Sequence, residues 1–467
     1  MVFSSMLFLW VFLPIVFVTN FIAYRIGKEQ PANALLLIAS LFFYAWGEPS
    51  HIGLMLVVIA INWCFGCLMD HFERQKTLFL VCAVVSNLGI LGYYKYAGFA
   101  IRIFGILIRK DLPDPGIALP IGISFFTFQA LSYTIDVYRG ICGAQKNICK
   151  LALYISLFPQ LIAGPIVRYS DINRQIDHRT LSLEKTAWGI RRFAYGLGKK
   201  VLIANVLGEC VDYIHGENLI YIGCLTAWIS SVAYMLQLYY DFSGYSDMAI
   251  GLGKMFGFEF KENFNYPFTS RSISEFWRRW HISLGTWFRE YVYIPLGGNR
   301  KGKIRTYANL LTVFALTGIW HGASFTFLFW GIYHGCFCVI ERMGLGKLLS
   351  KYKIPSLIYS FLIVDIGFVF FRASNFGTSA GLIFRMFLPM TQEIIPASVW
   401  EHMSPLAAIV LCLGLAGSGF LQRLVPEKTK IRWIGSTPEM IFCLLIFLLS
   451  LLKIAGNTYN PFIYFRF

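Results

Sequence analysis

TYANLLTVFALTGIWHGASFTFLFWGIYHGCFCVI, residues 306–340, contains no Asp, Glu, Lys or Arg. As one helix rising about 1.5 Å per residue it would measure about 52 Å, against a bilayer core of ~30 Å. The run therefore tilts strongly or breaks. The natural break is Thr317-Gly318-Ile319-Trp320-His321-Gly322-Ala323-Ser324, where a polar ring sits among glycines near the middle. That places His321 at membrane depth or at the mouth of a cavity.

Outward from this stretch the chain repeats the pattern. Residues 31–47, 51–69, 78–94, 151–167, 218–240 and 404–422 also lack Asp, Glu, Lys and Arg, and 6–24, 115–135, 186–206, 354–371, 376–390 and 438–452 are weaker candidates. A span needs about 20 mostly apolar residues, so roughly 10 to 13 membrane segments are expected. Only 14% of the 467 residues are charged and 57% are hydrophobic, against about 25% charged in soluble domains. Lipid cannot satisfy free backbone groups, so the expected class is all-α, a polytopic integral membrane protein. No soluble domain is legible, and residues 1–467 read as one transmembrane domain. Pro and Gly inside the runs, as at Leu119-Pro120-Ile121-Gly122 and Ala163-Gly164-Pro165, predict re-entrant pieces around a cavity.

The net charge of +16 reads as basic loops against anionic lipid rather than as a nucleic-acid surface. Clusters at Arg25/Lys28, Arg74/Lys76, Arg342–Lys353 and Arg423–Arg432 suggest an outside N-terminus. The first charge is Arg25, so no basic region precedes the first apolar segment and an uncleaved helix is expected. Cys64-x-x-Cys67 lies in an apolar run, where cysteine behaves as a small hydrophobe, and no metal site is expected.

The stretch 273–296, ISEFWRRWHISLGTWFREYVYIPL, places Phe276, Trp280, Leu284, Trp287 and Tyr291 on one helical face with arginines opposite. An interfacial or re-entrant helix follows, with His281 at the edge of its apolar face. Ionisable groups in membrane segments are costly and default to functional hypotheses. They are Asp241, Asp247, His281, His321, His334 and Asp365. Signatures of soluble catalysis are missing: no H-x-x-x-x-D, no G-x-x-x-x-G-K-[ST] and no H-E-x-x-H. What remains is histidine in a low-dielectric cavity. Its neutral ring can take a proton from a hydroxyl that attacks a thioester carbonyl. Trp320 Nε1–H, Asn263 or a glycine N–H are candidate oxyanion donors.

At these residues the chain resembles the membrane-bound O-acyltransferases, in the branch that serves alginate and other polysaccharide O-acetylation. The stretches that carry the likeness run from MVFSSMLFLW (1–10) to the C-terminus. They are LPIGISFFTFQALSYTIDVYRG (119–140), FPQLIAGPIVRYSD (158–171), YYDFSGYSDMAIGLGKMFGF (239–258), NFNYPF (263–268), EFWRRWHISLGTWFREYVYIPLGGNR (275–300), TGIWHGASFTFLFWGIYHG (317–335) and NPFIYFRF (460–467). The resemblance implies a ring of transmembrane helices around a central tunnel, with a catalytic core at 119–341. It implies His321 as the catalytic base or acyl-handling residue and His281 as its partner. Trp280, Trp320, Asn263, Arg289, Asp241 and Asp247 are supporting candidates. It further implies a bacterial cytoplasmic membrane and a cytoplasmic acyl-thioester donor as substrate, with no tightly bound cofactor. An extracytoplasmic SGNH-hydrolase-like partner and a polysaccharide acceptor complete the scheme. The competing readings are D-alanyl transfer to teichoic acid and, from another class, a transporter or scaffold subunit of a polysaccharide export machine.

Overall fold

The computed structural model describes residues 1–216, 222–388, 403, 405–426, 429, 434–456 and 459–461. Parts of the expected runs at 218–221, 389–390 and 404, residues 427–428 and 430–432 of the expected basic cluster, and the C-terminal 462–467 lie outside the described residues. Regular structure among the described residues is helical throughout, as the composition requires.

The chain forms two compact units. The first comprises Met1–Phe193 and Ser246–Lys261. It holds α1 (Leu13–Gly27), α2 (Glu29–Gly47), α3 (Ile52–His71), α4 (Lys76–Leu91), α5 (Ala97–Ile108), α6 (Ile123–Tyr138), α7 (Ile148–Ser156), α8 (Phe158–Leu161) and α9 (Tyr169–Asp177), and α10 (Leu183–Gly198) begins in it. The second comprises Ala194–Tyr245 and Glu262–Phe467. It holds α11 (Asn205–Gly216), most of α12 (Cys224–Met255), α13 (Ile273–Arg279), α14 (Ile282–Phe288), α15 (Lys303–His321), α16 (Phe325–Ile340), α17 (Gly346–Lys351), α18 (Lys353–Arg372), α19 (Phe376–Phe387), α20 (Pro405–Leu415) and α21 (Thr437–Gly456).

Six stretches among the described residues are long and apolar enough to cross a membrane: Phe8–Gly27, Ile52–His71, Glu73–Ile108, Lys353–Arg372, Pro405–Leu424 and Thr437–Gly456. That is fewer than the charge-free runs suggested, because several runs fold as shorter pieces. The 115–135 run enters α6 only at Ile123, after Pro120 and Gly122. The 151–167 run is divided at Leu157, ahead of Pro159, into α7 and the short α8. In the first unit, α3 and α4 are joined by a reciprocal amide pair. Asn62 Nδ2 donates to Asn87 Oδ1, and Asn87 Nδ2 donates to Asn62 Oδ1, both at 3.0 Å. Such pairs hold helices together where lipid offers no alternative partner.

In the second unit the long run does break where expected. α15 ends at His321, Gly322 is extended, and Ser324 opens α16 by accepting the Phe327 N–H on its hydroxyl at 3.4 Å. The two helices fold against each other on glycine. A Cβ on Gly331 would lie 2.2 Å from the Phe314 carbonyl oxygen, and one on Gly318 2.3 Å from that of Phe327. By contrast, 273–296 is not the single helix its periodicity predicts. α13 stops at Arg279, and His281 takes φ 46°, ψ 52° before α14 starts. A left-handed histidine is costly and survives only where its surroundings hold it.

Overpacking costs about 1–3 kcal/mol. Gly331→Val is therefore expected to lower the thermal midpoint of the detergent-solubilised protein by several degrees. Gly53→Ala, where a Cβ meets nothing within 4 Å, is expected to leave it unchanged or raise it.

Candidate active site

The strained turn at His281 is held by one buried amide. Asn263 Oδ1 accepts the Ser283 N–H at 3.2 Å and the Ser283 hydroxyl at 2.9 Å, which settles which amide atom faces the turn. His281 Nδ1 lies 3.3 Å from the same oxygen, so this nitrogen carries the proton. The Asn263 carbonyl accepts the Ile282 N–H at 3.0 Å, and the Asn265 N–H donates to the Arg279 carbonyl at 2.9 Å. The segment around Asn263 thus clamps both sides of the break, and the Phe242 ring closes against His281 at 4.6 Å.

His321 is the last residue of α15, and its Nδ1 lies 2.7 Å from the Thr317 carbonyl oxygen. A carbonyl only accepts, so Nδ1 carries the proton and the lone pair of the neutral ring belongs to Nε2. The imidazole is packed between Trp330 at 5.0 Å and Phe371 at 5.4 Å. Trp320 lies between the two histidines, its ring 4.9 Å from His321 and 6.1 Å from His281. Both imidazoles are almost wholly buried, at 1% and 2% exposure for His281 and His321.

Two cavities flank this core. The larger, about 380 Å³, runs along the face of α15 that carries Leu310, Val313, Phe314 and Thr317, and reaches His281. Arg278, Arg289 and Arg342 also line it. The smaller, about 250 Å³, is lined by Asp212, Gln237, Ser324, Thr326, Phe327, Phe371 and Arg372, among others. Ser324 and Thr326 stand at the start of α16 and Arg342 just beyond its end. At about 1.5 Å per residue these positions are about 24 Å apart along the helix. His321 thus sits behind Thr317 of one cavity and Phe371 of the other.

The structure brings His281, His321, Trp320 and Asn263 together, and Arg289 joins them as an exposed wall of the larger cavity. Trp280 belongs to an aromatic packing cluster with Phe264 at 5.1 Å, Phe368 at 5.2 Å and Phe276 at 5.4 Å. Asp241 pairs with Lys200 Nζ at 2.7 Å, and Lys200 also donates to the Pro461 carbonyl. Asp247 falls in the other unit, paired with Arg192 at 2.6 Å. Asp365 accepts the Ser231 hydroxyl at 2.7 Å, a tie between α12 and α18. His334 packs edge-on against Trp277 and Trp330, each at 5.3 Å, and so backs the ring that supports His321. Sequence reasoning missed Ser283 and Glu341. The Glu341 carboxylate accepts the Ile273 N–H at 2.6 Å and the Ser274 N–H at 2.9 Å, so it caps α13 from 68 residues away. No local pattern signals such a cap.

Comparison with known proteins adds a consistent picture. Residues 144–377 match the profile of MBOAT, the membrane-bound O-acyltransferase family. The chain is 39% identical to the probable alginate O-acetylase of Pseudomonas putida, over 100% of both chains. It is 32% identical to the peptidoglycan O-acetyltransferase of Helicobacter pylori, over 98% of this chain and 91% of the other. It is 27% identical to the teichoic acid D-alanyltransferase of Bacillus subtilis, over 66% of this chain and 86% of the other.

Removing the amide that clamps the His281 turn leaves the Ser283 donors and a strained backbone without support, at a cost of about 1–3 kcal/mol. Asn263→Ala is expected to reduce acyl transfer by about ten-fold or more, measured as turnover at saturating donor, while the protein still purifies as a folded species.

Proposed function

Because the chain belongs to the membrane-bound O-acyltransferase family, we propose that it takes an acetyl group from a thioester donor on the cytoplasmic side of a bacterial cytoplasmic membrane. It then passes that group outward for O-acetylation of an extracellular or cell-wall polysaccharide. The observation that carries this reading is His321: a buried imidazole, its Nδ1–H tied to Thr317, backed onto two cavities at opposite ends of α16. The side assignment follows the basic segment Arg342–Lys353 at the end of the larger cavity, since Lys and Arg concentrate on the cytoplasmic side.

In this scheme the donor thioester enters the larger cavity and the acceptor hydroxyl approaches from the smaller one. His321 Nε2 takes the hydroxyl proton as the oxygen attacks the thioester carbonyl. The carbon–sulfur bond breaks, an ester forms, and the imidazolium returns the proton to the departing thiolate. His281, its own Nδ1 directed at Asn263, orients the donor, and Trp320 is the candidate donor to the oxyanion. The dry surroundings strengthen each of these interactions. An extracytoplasmic SGNH-hydrolase-like partner would carry the group on to the polymer. The acetyl assignment is favoured over D-alanyl because the O-acetylating relatives align along all or nearly all of the chain. The D-alanylating relative aligns along two thirds of it, at lower identity.

General-base removal costs about 10²–10⁴-fold. Membranes holding His321→Ala at matched levels, with labelled acetyl thioester and the partner present, are expected to yield at least 100-fold less base-labile acetyl ester than wild type. Undiminished ester would remove His321 from the chemistry. Ester formed only from a D-alanyl thioester would replace the acetyl reading.

A further inference from the structure

The smaller cavity is lined by a buried amide that the protein itself leaves unused. We infer that Gln237 is the acceptor-binding residue of the transfer, its side-chain amide holding an uncharged, hydroxyl-bearing group of the acceptor in the smaller cavity. The inference rests on the acyl-transfer reading above and names the residue that selects and places the acceptor.

Hydrogen bonding singles out Gln237. It stands on α12, lines the cavity and is only 6% exposed. Among the described residues its Oε1 accepts no hydrogen bond, and its Nε2 donates none. The other polar side chains of the wall are occupied. Asp212 accepts from Arg372 and from the Tyr459 hydroxyl, both at 2.7 Å. The Ser324 and Thr326 hydroxyls share a hydrogen bond at 2.7 Å, and the Ser374 hydroxyl accepts the Asn375 amide at 3.3 Å. A buried amide without partners costs stability, and native structures keep few such groups.

Packing rather than hydrogen bonding holds the side chain in place. Gly208 of α11 lets that helix close on it, since a Cβ there would lie 2.5 Å from Gln237 Nε2. A half-turn of the last torsion then presents either the oxygen or the N–H₂ to the same point. A hydroxyl both donates and accepts, so it satisfies the amide in either orientation. Charge narrows the class further. Asp212 and Arg372 are the charged residues that line the cavity, and they pair with each other. No net charge remains to hold a carboxylate or an ammonium group. The volume of about 250 Å³ is below the usual range of ligand pockets, about 300–1,000 Å³. It suits one hydroxyl-bearing unit rather than a stretch of polymer. Phe371 forms the wall toward His321, 5.4 Å from it ring to ring. Gln237 thus grips the acceptor on the side of the cavity that faces α11 and leaves the reacting hydroxyl to His321.

The test uses the full-length protein in phosphatidylcholine nanodiscs with labelled acetyl-coenzyme A. Methyl glucoside and N-acetylserinamide are the uncharged acceptor probes, methyl glucuronide is the charged counterpart, and thioester hydrolysis reports transfer to water. Wild type is compared with Gln237→Met and Gln237→Leu, which keep the bulk and remove the amide. Both variants are expected to raise KM for the uncharged probes about ten-fold. KM for the donor and the rate of hydrolysis are expected to stay as in wild type. The thermal midpoint is expected to hold or rise, because an apolar side chain replaces a group that the fold leaves unsatisfied. With that result, the uncharged probe of lower wild-type KM shows whether a sugar or a protein side chain supplies the hydroxyl. Unchanged acceptor KM, alongside turnover that still needs His321, would overturn the role of Gln237 and leave the acyl-transfer reading standing. A lower thermal midpoint with donor and acceptor KM raised together would reduce Gln237 to a support of the fold. Equal use of methyl glucuronide would overturn the uncharged class. Hydrolysis with no ester on either uncharged probe would overturn the acceptor site. Absence of all turnover by wild type would take down the acyl-transfer reading and the inference with it.

Discussion

A charge-free segment longer than the bilayer is thick has to turn inside the apolar region, where each freed backbone group needs a partner from the protein. The rest of the site hangs on how residues 306–340 meet that demand. The last turn of α15 supplies the Thr317 carbonyl to His321 Nδ1, and the first turn of α16 is capped by Ser324. Gly318 and Gly331 let the two helices approach closely enough to share backbone contacts. The catalytic candidate is therefore also a residue of the bend. Its tautomer is set by a carbonyl of the helix's own last turn, so the geometry of the turn and the basicity of Nε2 are coupled.

The second break, at His281, solves a different problem by a different route. No glycine stands there, and the left-handed backbone is held by Asn263, 18 residues upstream, through Ser283 and the ring itself. Periodicity could not reveal it. Phe276, Trp280, Leu284 and Trp287 keep helical spacing across the break, and all four are buried. The bend at His321 was legible because it follows from length and glycine alone. The bend at His281 was not, because the residues that stabilise it lie on other elements. Glu341 belongs with it: a carboxylate that caps α13 through Ile273 and Ser274 has no local signature at the head of a basic segment. The all-α class was equally plain from composition. The number of spans was not, since proline and glycine shorten charge-free runs into pieces such as α7 and α8.

The buried ionisable residues sort by what they pair with. Asp241 has Lys200, Asp247 has Arg192, and Asp365 has the Ser231 hydroxyl. These are ties between helices, which is the blander of the two readings that sequence alone allowed. The two histidines differ in that each offers a proton on Nδ1 to a fixed oxygen, an arrangement that orients a ring rather than merely satisfying it.

The two ends of α16 also differ in charge compensation, and this gives the site a direction. At its start Arg372 is matched by Asp212, whose other oxygen accepts the Tyr459 hydroxyl at 2.7 Å. At its end Arg278, Arg289 and Arg342 stand without such partners around the larger cavity. An anionic donor would be drawn to one end only, whereas an uncharged hydroxyl meets no such bias at the other. On the acyl-transfer reading proposed above, the asymmetry would set donor and acceptor on opposite sides of His321. On that reading a single imidazole between them would serve as base for the one and acid for the other without a moving part.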